Sequence, residues 1–212
     1  RSALLLSLGT GLIATVLCIV IGVPLALTIA RSGPRLAAVL RAAVTVPLVL
    51  PPMVGGVALL YLFGRAGWFG GLGLSFSTPA VVLAQTFVAL PFLVLAVEGA
   101  VRTSGVEYER TAAALGAGRW TILRRITLPL AAPGIVAGVV LCFARAIGEF
   151  GATALFAGNR PGVTQTMPLA IYTAFNGAGV TQGAAVALAL LLLATAILVL
   201  LLVRGWRPGA AR

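Results

Sequence analysis

Residues 103–134 read TSGVEYERTAAALGAGRWTILRRITLPLAAPG, a basic stretch between two long apolar runs. Ser104 and Glu107 stand three residues apart, the spacing of a capping box, in which hydroxyl and carboxylate satisfy the exposed amides of a helix start. This predicts a helix from about Gly105, continued by the good helix formers of ERTAAAL and ended where Gly116 or Gly118 takes the left-handed conformation. A second helix is expected from Arg119 to Thr127, stopping at Pro129. Helix, glycine bend and helix, carrying Arg110, Arg119, Arg124 and Arg125, make a projecting element rather than a connector. Such a projection suits docking to another protein; the competing reading is an amphipathic loop lying on anionic lipid headgroups.

On both sides of this stretch the chain is composed for lipid. Its 212 residues are 60% hydrophobic and 9% charged, against about 25% charged residues in soluble domains. Five segments approach or exceed the ~20 apolar residues that a helix needs to span a bilayer: 3–30, 42–63, 79–101, 133–150 and 184–203. The expected fold is therefore an all-α membrane protein of about five transmembrane helices, in one domain over residues 1–212. The first run exceeds the roughly 7–15 apolar residues of a signal peptide and is expected to be a retained span. Because the chain begins with Arg1 instead of Met, it is expected to be trimmed at its start.

Arginine placement orients the spans, since positive residues accumulate on the cytoplasmic side. Arg31, Arg35 and Arg41 follow the first span, Arg102, Arg110, Arg119, Arg124 and Arg125 the third, and Arg204, Arg207 and Arg212 the fifth. The opposite side receives Arg1, Arg65 and Arg160. Five spans then place the N-terminus outside and the C-terminus in the cytoplasm, with the 103–128 loop cytoplasmic.

The residue inventory excludes much chemistry. The chain has fifteen arginines and four glutamates, with no Lys, Asp or His. No zinc site, triad or carboxylate dyad is expected, and hence no catalytic residue and no metal ligand. A phosphate loop needs its lysine, so if ATP drives this protein another chain hydrolyses it. The net charge of +11 does not make a nucleic-acid surface, because the arginines lie between apolar segments instead of on a soluble face. Cys18 and Cys142 fall inside apolar runs and are expected to pack as small hydrophobes.

Two apolar segments carry anomalies. VPLVLPPMVGG, residues 46–56, breaks the second span with Pro47, Pro51, Pro52, Gly55 and Gly56. Freed backbone groups in a membrane need protein or water nearby, so this is either a bent helix lining a pathway or a kink absorbed by packing. CFARAIGEFGAT, residues 142–153, holds Arg145 and Glu149 one turn apart, the spacing at which they can pair on one helix face. Arg145 is the one arginine well within a span, where an unpaired charge is costly. The pair either polarises a passage for an anion or fixes helices structurally. Towards the outside, Trp68 and Phe69 are expected as interfacial anchors, and MPLAIYTAFN, residues 167–176, as a short helix.

The 103–128 loop resembles the Glu-Ala-Ala loop of the membrane subunits of ATP-binding-cassette importers: E-A-A, three residues, G, nine residues, then I-x-L-P. Ala112, Gly116, Ile126, Leu128 and Pro129 fall at the matching spacing, while Arg110 and Thr111 stand at the first two positions and Glu109 lies one residue early. VPLVLPPMVGGVALLYLFGRAGWFG, VVLAQTFVALPFLV, AALGAGRW, FARAIGEFGAT and TQTMPLAIYTAFN extend the resemblance over nearly the whole chain, to the molybdate and tungstate permeases, a branch near the sulfate and thiosulfate permeases.

The resemblance implies a type I importer permease fold whose coupling helices, with Glu109, Ala112, Gly116, Ile126, Leu128 and Pro129, sit in a groove on an ATPase subunit. It further implies a homodimer on an ATPase dimer that binds the ATP and Mg, no cofactor in this chain, an extracytoplasmic oxyanion-binding protein, and a prokaryotic plasma membrane. Arg145, Glu149 and Thr153 are then the expected translocation pathway or gate, with Asn159, Thr164 and Gln165 as neutral groups near the outer mouth. A sulfate permease is the alternative within the family. An ATP-independent channel or secondary transporter is a further alternative, but inverted repeats and ion-coupling acidic or histidine residues are not evident.

Overall fold

The computed structural model describes residues 2–103, 107–176 and 182–205, and all the regular structure among them is helical. In chain order the helices are α1 (Ser2–Arg31), α2 (Pro34–Val49), α3 (Pro52–Phe63), α4 (Thr78–Thr103), α5 (Glu107–Ala114), α6 (Arg119–Ile122), α7 (Leu128–Ile147), α8 (Gly151–Phe156), α9 (Met167–Phe175) and α10 (Gln182–Gly205). Three helices are long and apolar enough to cross a membrane: α1, α4 and the continuous helix Arg119–Ile147. The pair α2 and α3 qualifies as one broken span, and α10 is a further, mostly apolar helix of 24 residues. Four of the five expected spans are thus long and apolar enough to cross, the second as a broken pair, and the fifth expected span falls within α10.

α4 is the centre of the bundle, packed against α1, α2, α7 and α8. Helices in lipid gain little from hydrophobic association, so small residues that allow close approach decide where they meet. The buried stripe of α1 includes Ala3, Ser7, Gly11, Ala14, Cys18, Gly22 and Ala26, a run at helical spacing. Ala14, Cys18 and Ala26 join Ala89, Leu93, Val94, Val97, Cys142 and Ala146 in one core. Both cysteines are free and buried, as their surroundings predicted. A second core joins Leu59 of α3, Val81, Ala84 and Val88 of α4, and Ala152 and Phe156 of α8.

Several boundaries differ from expectation. The second span begins at Pro34 instead of residue 42, which draws Arg35 and Arg41 into α2. It then bends by 111° between Val49 and Pro52. Pro51 and Pro52 lack amide protons and force the preceding residue out of the helical region; Leu50 and Pro51 accordingly have ψ of 133° and 135°. The helix expected to stop at Pro129 continues through it, as part of Arg119–Ile147. Residues Leu123–Thr127 widen into a π-helical turn just before the proline, which relieves the clash that a proline ring makes with an α-helical carbonyl four residues back. The fourth span consequently starts before residue 133, and it ends at Ile147 rather than 150.

The glycine bend follows prediction. Gly116 has φ +86°, while its amide donates to Ala113 O at 3.0 Å and the Ala117 amide to Ala112 O at 2.9 Å. These are the two bonds of a Schellman cap, which needs a left-handed residue at Gly116. Gly118 is extended and starts α6. The proposed capping hydroxyl of Ser104 lies outside the described residues, and α5 is described from Glu107.

Candidate functional site

The loop is tied to the bundle by charge. Glu109 Oε1 accepts from Arg31 Nη2 at 3.0 Å and from the Thr127 hydroxyl, and Arg31 Nη2 also donates to Thr127 Oγ1 at 2.9 Å. Three elements meet there: the last turn of α1, the short helix α5 and the π-helical turn. One layer deeper, Glu98 of α4 has a side chain only 5% exposed and accepts from both Arg41 of α2 and Arg102. Arg102 Nη2 reaches Ile29 O of α1 at 3.5 Å. The ends of α1, α2, α4 and α5 are therefore gathered at a single arginine-rich end. Within this end is a cavity of about 520 Å³ lined by Arg31, Glu109, Arg110, Ala113, Arg119 and Ile122.

Around the glycine bend three large apolar side chains stand out: Tyr108 is 64% exposed, Leu115 83% and Trp120 70%. The motif reading did not single them out. The available signal was their chemistry, since large apolar side chains on a charged projection suit a docking surface or a membrane interface. Among the motif residues, Gly116 and Pro129 are exposed, and Ala112, Ile126 and Leu128 are half-buried.

At the opposite end, Ser7 Oγ accepts from the Met167 amide at 2.7 Å, Thr78 Oγ1 donates to Val163 O at 2.9 Å, and the Phe76 amide donates to Phe156 O at 3.2 Å. These contacts draw together the starts of α1 and α4 and the segment from α8 to α9. Between the two ends lies the Arg145–Glu149 pair, with Nη2–Oε2 at 2.7 Å and side chains 26% and 1% exposed. The sequence placed both charges on one continuous helix, but α7 ends at Ile147 and Glu149 lies in the break before α8. There the second carboxylate oxygen accepts the Ala152 amide at 2.8 Å, so the break supplies the backbone donor that a buried carboxylate requires.

This break abuts the other one. A Cβ on Gly56 would lie 2.8 Å from Ala152 Cα, and one on Gly151 would lie 3.1 Å from the Met53 amide nitrogen. The starts of α3 and α8 thus touch backbone to backbone, contact that only glycine permits. Thr153, on the first turn of α8, is fully buried, and its hydroxyl lacks a hydrogen-bond partner among the described residues, as do the buried side-chain atoms of Gln85 and the hydroxyl of Thr166. Of the neutral groups expected at the outer mouth, Asn159 donates to Thr173 at 2.7 Å and buried Thr164 accepts the Arg160 amide at 2.9 Å. Among the described residues no cluster of metal-ligating side chains occurs.

A polytopic helical bundle with a basic helix–glycine–helix projection at one end and a buried ion pair at paired helix breaks has the build of a membrane transport subunit. The chain belongs to the family of inner membrane components of binding-protein-dependent transport systems, whose family model matches residues 8–209. It is therefore a multi-pass protein of the plasma membrane. It is 55% identical to the molybdenum transport system permease protein ModB of Mycobacterium tuberculosis, over 98% of this chain and 80% of that protein. To the Escherichia coli K12 protein of the same description it is 41% identical, over 86% of this chain and 83% of the relative. Its fold matches a chain from the MetNI methionine ABC transporter in inward-facing conformations, with TM-score 0.77 at 20% identity, covering 96% of this chain and 94% of that one. The all-α class and the type I importer permease fold are thus as the sequence predicted.

Proposed function

We propose that this chain is the membrane-spanning permease subunit of an ATP-driven importer that carries molybdate, or the closely similar tungstate, into the cytoplasm by alternating access. The observation that carries the reading is the identity with permeases described as molybdenum transporters over nearly the full chain. The same identity favours molybdate over sulfate, and the projecting loop favours an externally driven subunit over a self-sufficient channel.

In this reading the arginine-rich end is cytoplasmic, the N-terminus outside, and residues 103–128 form the coupling loop of a single transmembrane domain. Tyr108, Leu115 and Trp120 supply the apolar contact with an ATPase subunit, and Ala112 and Gly116 shape the bend that enters its groove. Ile126, Leu128 and Pro129 join the loop to α7, so that displacement of the loop moves the rod leading to Arg145. The ATPase is a separate chain that binds the ATP and Mg; this chain is not itself an enzyme. Two copies of the permease sit on two ATPases, and an extracytoplasmic protein delivers the oxyanion. Arg145, Glu149 and Thr153 serve as pathway or gate. A paired arginine suits that role, because a lone one would hold a dianion too firmly for release.

The test is reconstitution with the partner ATPase and oxyanion-binding protein in liposomes. ATP-dependent molybdate uptake, competed by tungstate and not by sulfate, is the expected result. Competition by sulfate at equal concentration would move the assignment to the sulfate branch, and uptake by the permease alone without ATP would overturn it.

A further inference from the structure

The position of Glu109 carries a further inference. In the motif the loop resembles, glutamate stands where this chain has Arg110; here the carboxylate is one residue earlier, and one residue is about 100° around a helix. That rotation brings it to Arg31 and Thr127 of its own chain. The Glu109 side chain is 24% exposed and Thr127 is 2% exposed, so the contact is internal to the subunit. The Arg31 side chain is itself 43% exposed, but both partners belong to long helices. Arg31 ends α1, whose Ile29 carbonyl is also gripped by Arg102 beside Glu98. Thr127 closes the π-helical turn inside the 29-residue helix Arg119–Ile147, which runs without a break from the loop to Arg145. Widened turns of this kind change the phase of the side chains that follow them, and they cluster at functional positions.

We propose that Glu109, Arg31 and Thr127 form an internal latch that passes displacement of the coupling helix into α1 and the Arg119–Ile147 rod. Arg31 and Thr127 are positioning residues for coupling, and Glu109 acts through them instead of through an ATPase side chain. A short helix such as α5, without a side-chain tie to the bundle, could tilt under the ATPase without moving anything else. The shared carboxylate removes that slack, because a charge-assisted contact to two anchored groups fixes both the tilt and the rotation of α5. The chemistry also explains why a threonine is suited to the π-turn: its hydroxyl donates to the carboxylate while accepting from the guanidinium.

This inference rests on the importer reading, and its test separates the two. The complete complex, with ATPase and binding protein, is reconstituted and oxyanion taken up per ATP hydrolysed is measured. Thr127→Val preserves shape and removes both hydrogen bonds; Thr127→Ser keeps the hydroxyl. The expected result is that Thr127→Val and Glu109→Gln still assemble and hydrolyse ATP, with uptake per ATP lowered roughly fivefold or more, while Thr127→Ser stays near wild type. The double variant Glu109→Gln with Thr127→Val should lose no more than either single one, as members of one unit do. Wild-type coupling in Thr127→Val overturns the latch. So does loss of ATPase copurification in Glu109→Gln alone, which would place Glu109 at the ATPase surface. Absence of ATP-driven uptake in the wild-type complex overturns the importer reading itself.

Discussion

Glu149 is 1% exposed in a segment flanked by apolar helices, and it is tolerated because both carboxylate oxygens are engaged, one by Arg145 and one by the Ala152 amide. Neither partner suffices alone: an ion pair without further hydrogen bonds rarely compensates for desolvation, and a backbone amide alone leaves the charge unbalanced. Arg145, at 26% exposure, is the half of the pair that can reach a passage. Arg145→Gln therefore separates the two roles left open by the sequence. If the pair lines the pathway, the variant complex assembles and uptake falls by roughly tenfold or more; if it only fixes helices, assembly itself is lost, as size-exclusion profiles of the complex would reveal. Normal uptake by an assembled variant would refute both roles.

At the level of elements, the projecting loop depends on one backbone conformation. Gly116 sits at φ +86° with open space around it, so a side chain there meets no steric barrier and the cost is conformational. Gly116→Val should cost about 1–3 kcal/mol locally, enough to undo the Schellman cap and displace the exposed Leu115 and Trp120 beside it. The expected phenotype is a permease that remains folded but binds the ATPase poorly, measured as reduced copurification and reduced ATP-dependent uptake. Gly118→Ala, at an extended position, should have little effect in the same assays. The second element-scale feature is Pro129, which the sequence marked as a stop. In the structure the π-helical turn accommodates it, and the loop gains a rigid rod leading to Arg145 in place of a hinge.

For the whole molecule, the contacts around Glu98 and Glu109 gather the arginine-rich ends of α1, α2, α4 and α5 on one side, while Ser7, Thr78 and Phe76 tie the opposite end together. The proposed orientation, with the arginine-rich end cytoplasmic, can be measured directly. Ala113→Cys in α5 should react with a membrane-impermeant thiol reagent in inside-out vesicles only, and Ala66→Cys, in the loop after α3, in right-side-out vesicles only. Cys18 and Cys142 are fully buried and should leave the background low. The opposite labelling pattern would invert the topology and remove the loop from the reach of a cytoplasmic ATPase.

The sequence by itself determined the membrane class, the long apolar segments, the glycine bend and the motif spacing of the loop, because hydrophobic run length and the demand for a left-handed residue are local properties of the chain. It also located Arg145 and Glu149 as a pair. Only the tertiary structure decided that Glu149 leaves the helix to meet the Ala152 amide, that Glu109 turns inward to Arg31 and Thr127, and that the breaks before α3 and α8 meet at Gly56 and Gly151. The last two of these depend on residues far apart in sequence. Close backbone approach and the sharing of a buried carboxylate arise only when packed helices bring those residues together, and nothing in a local window encodes which partner will arrive.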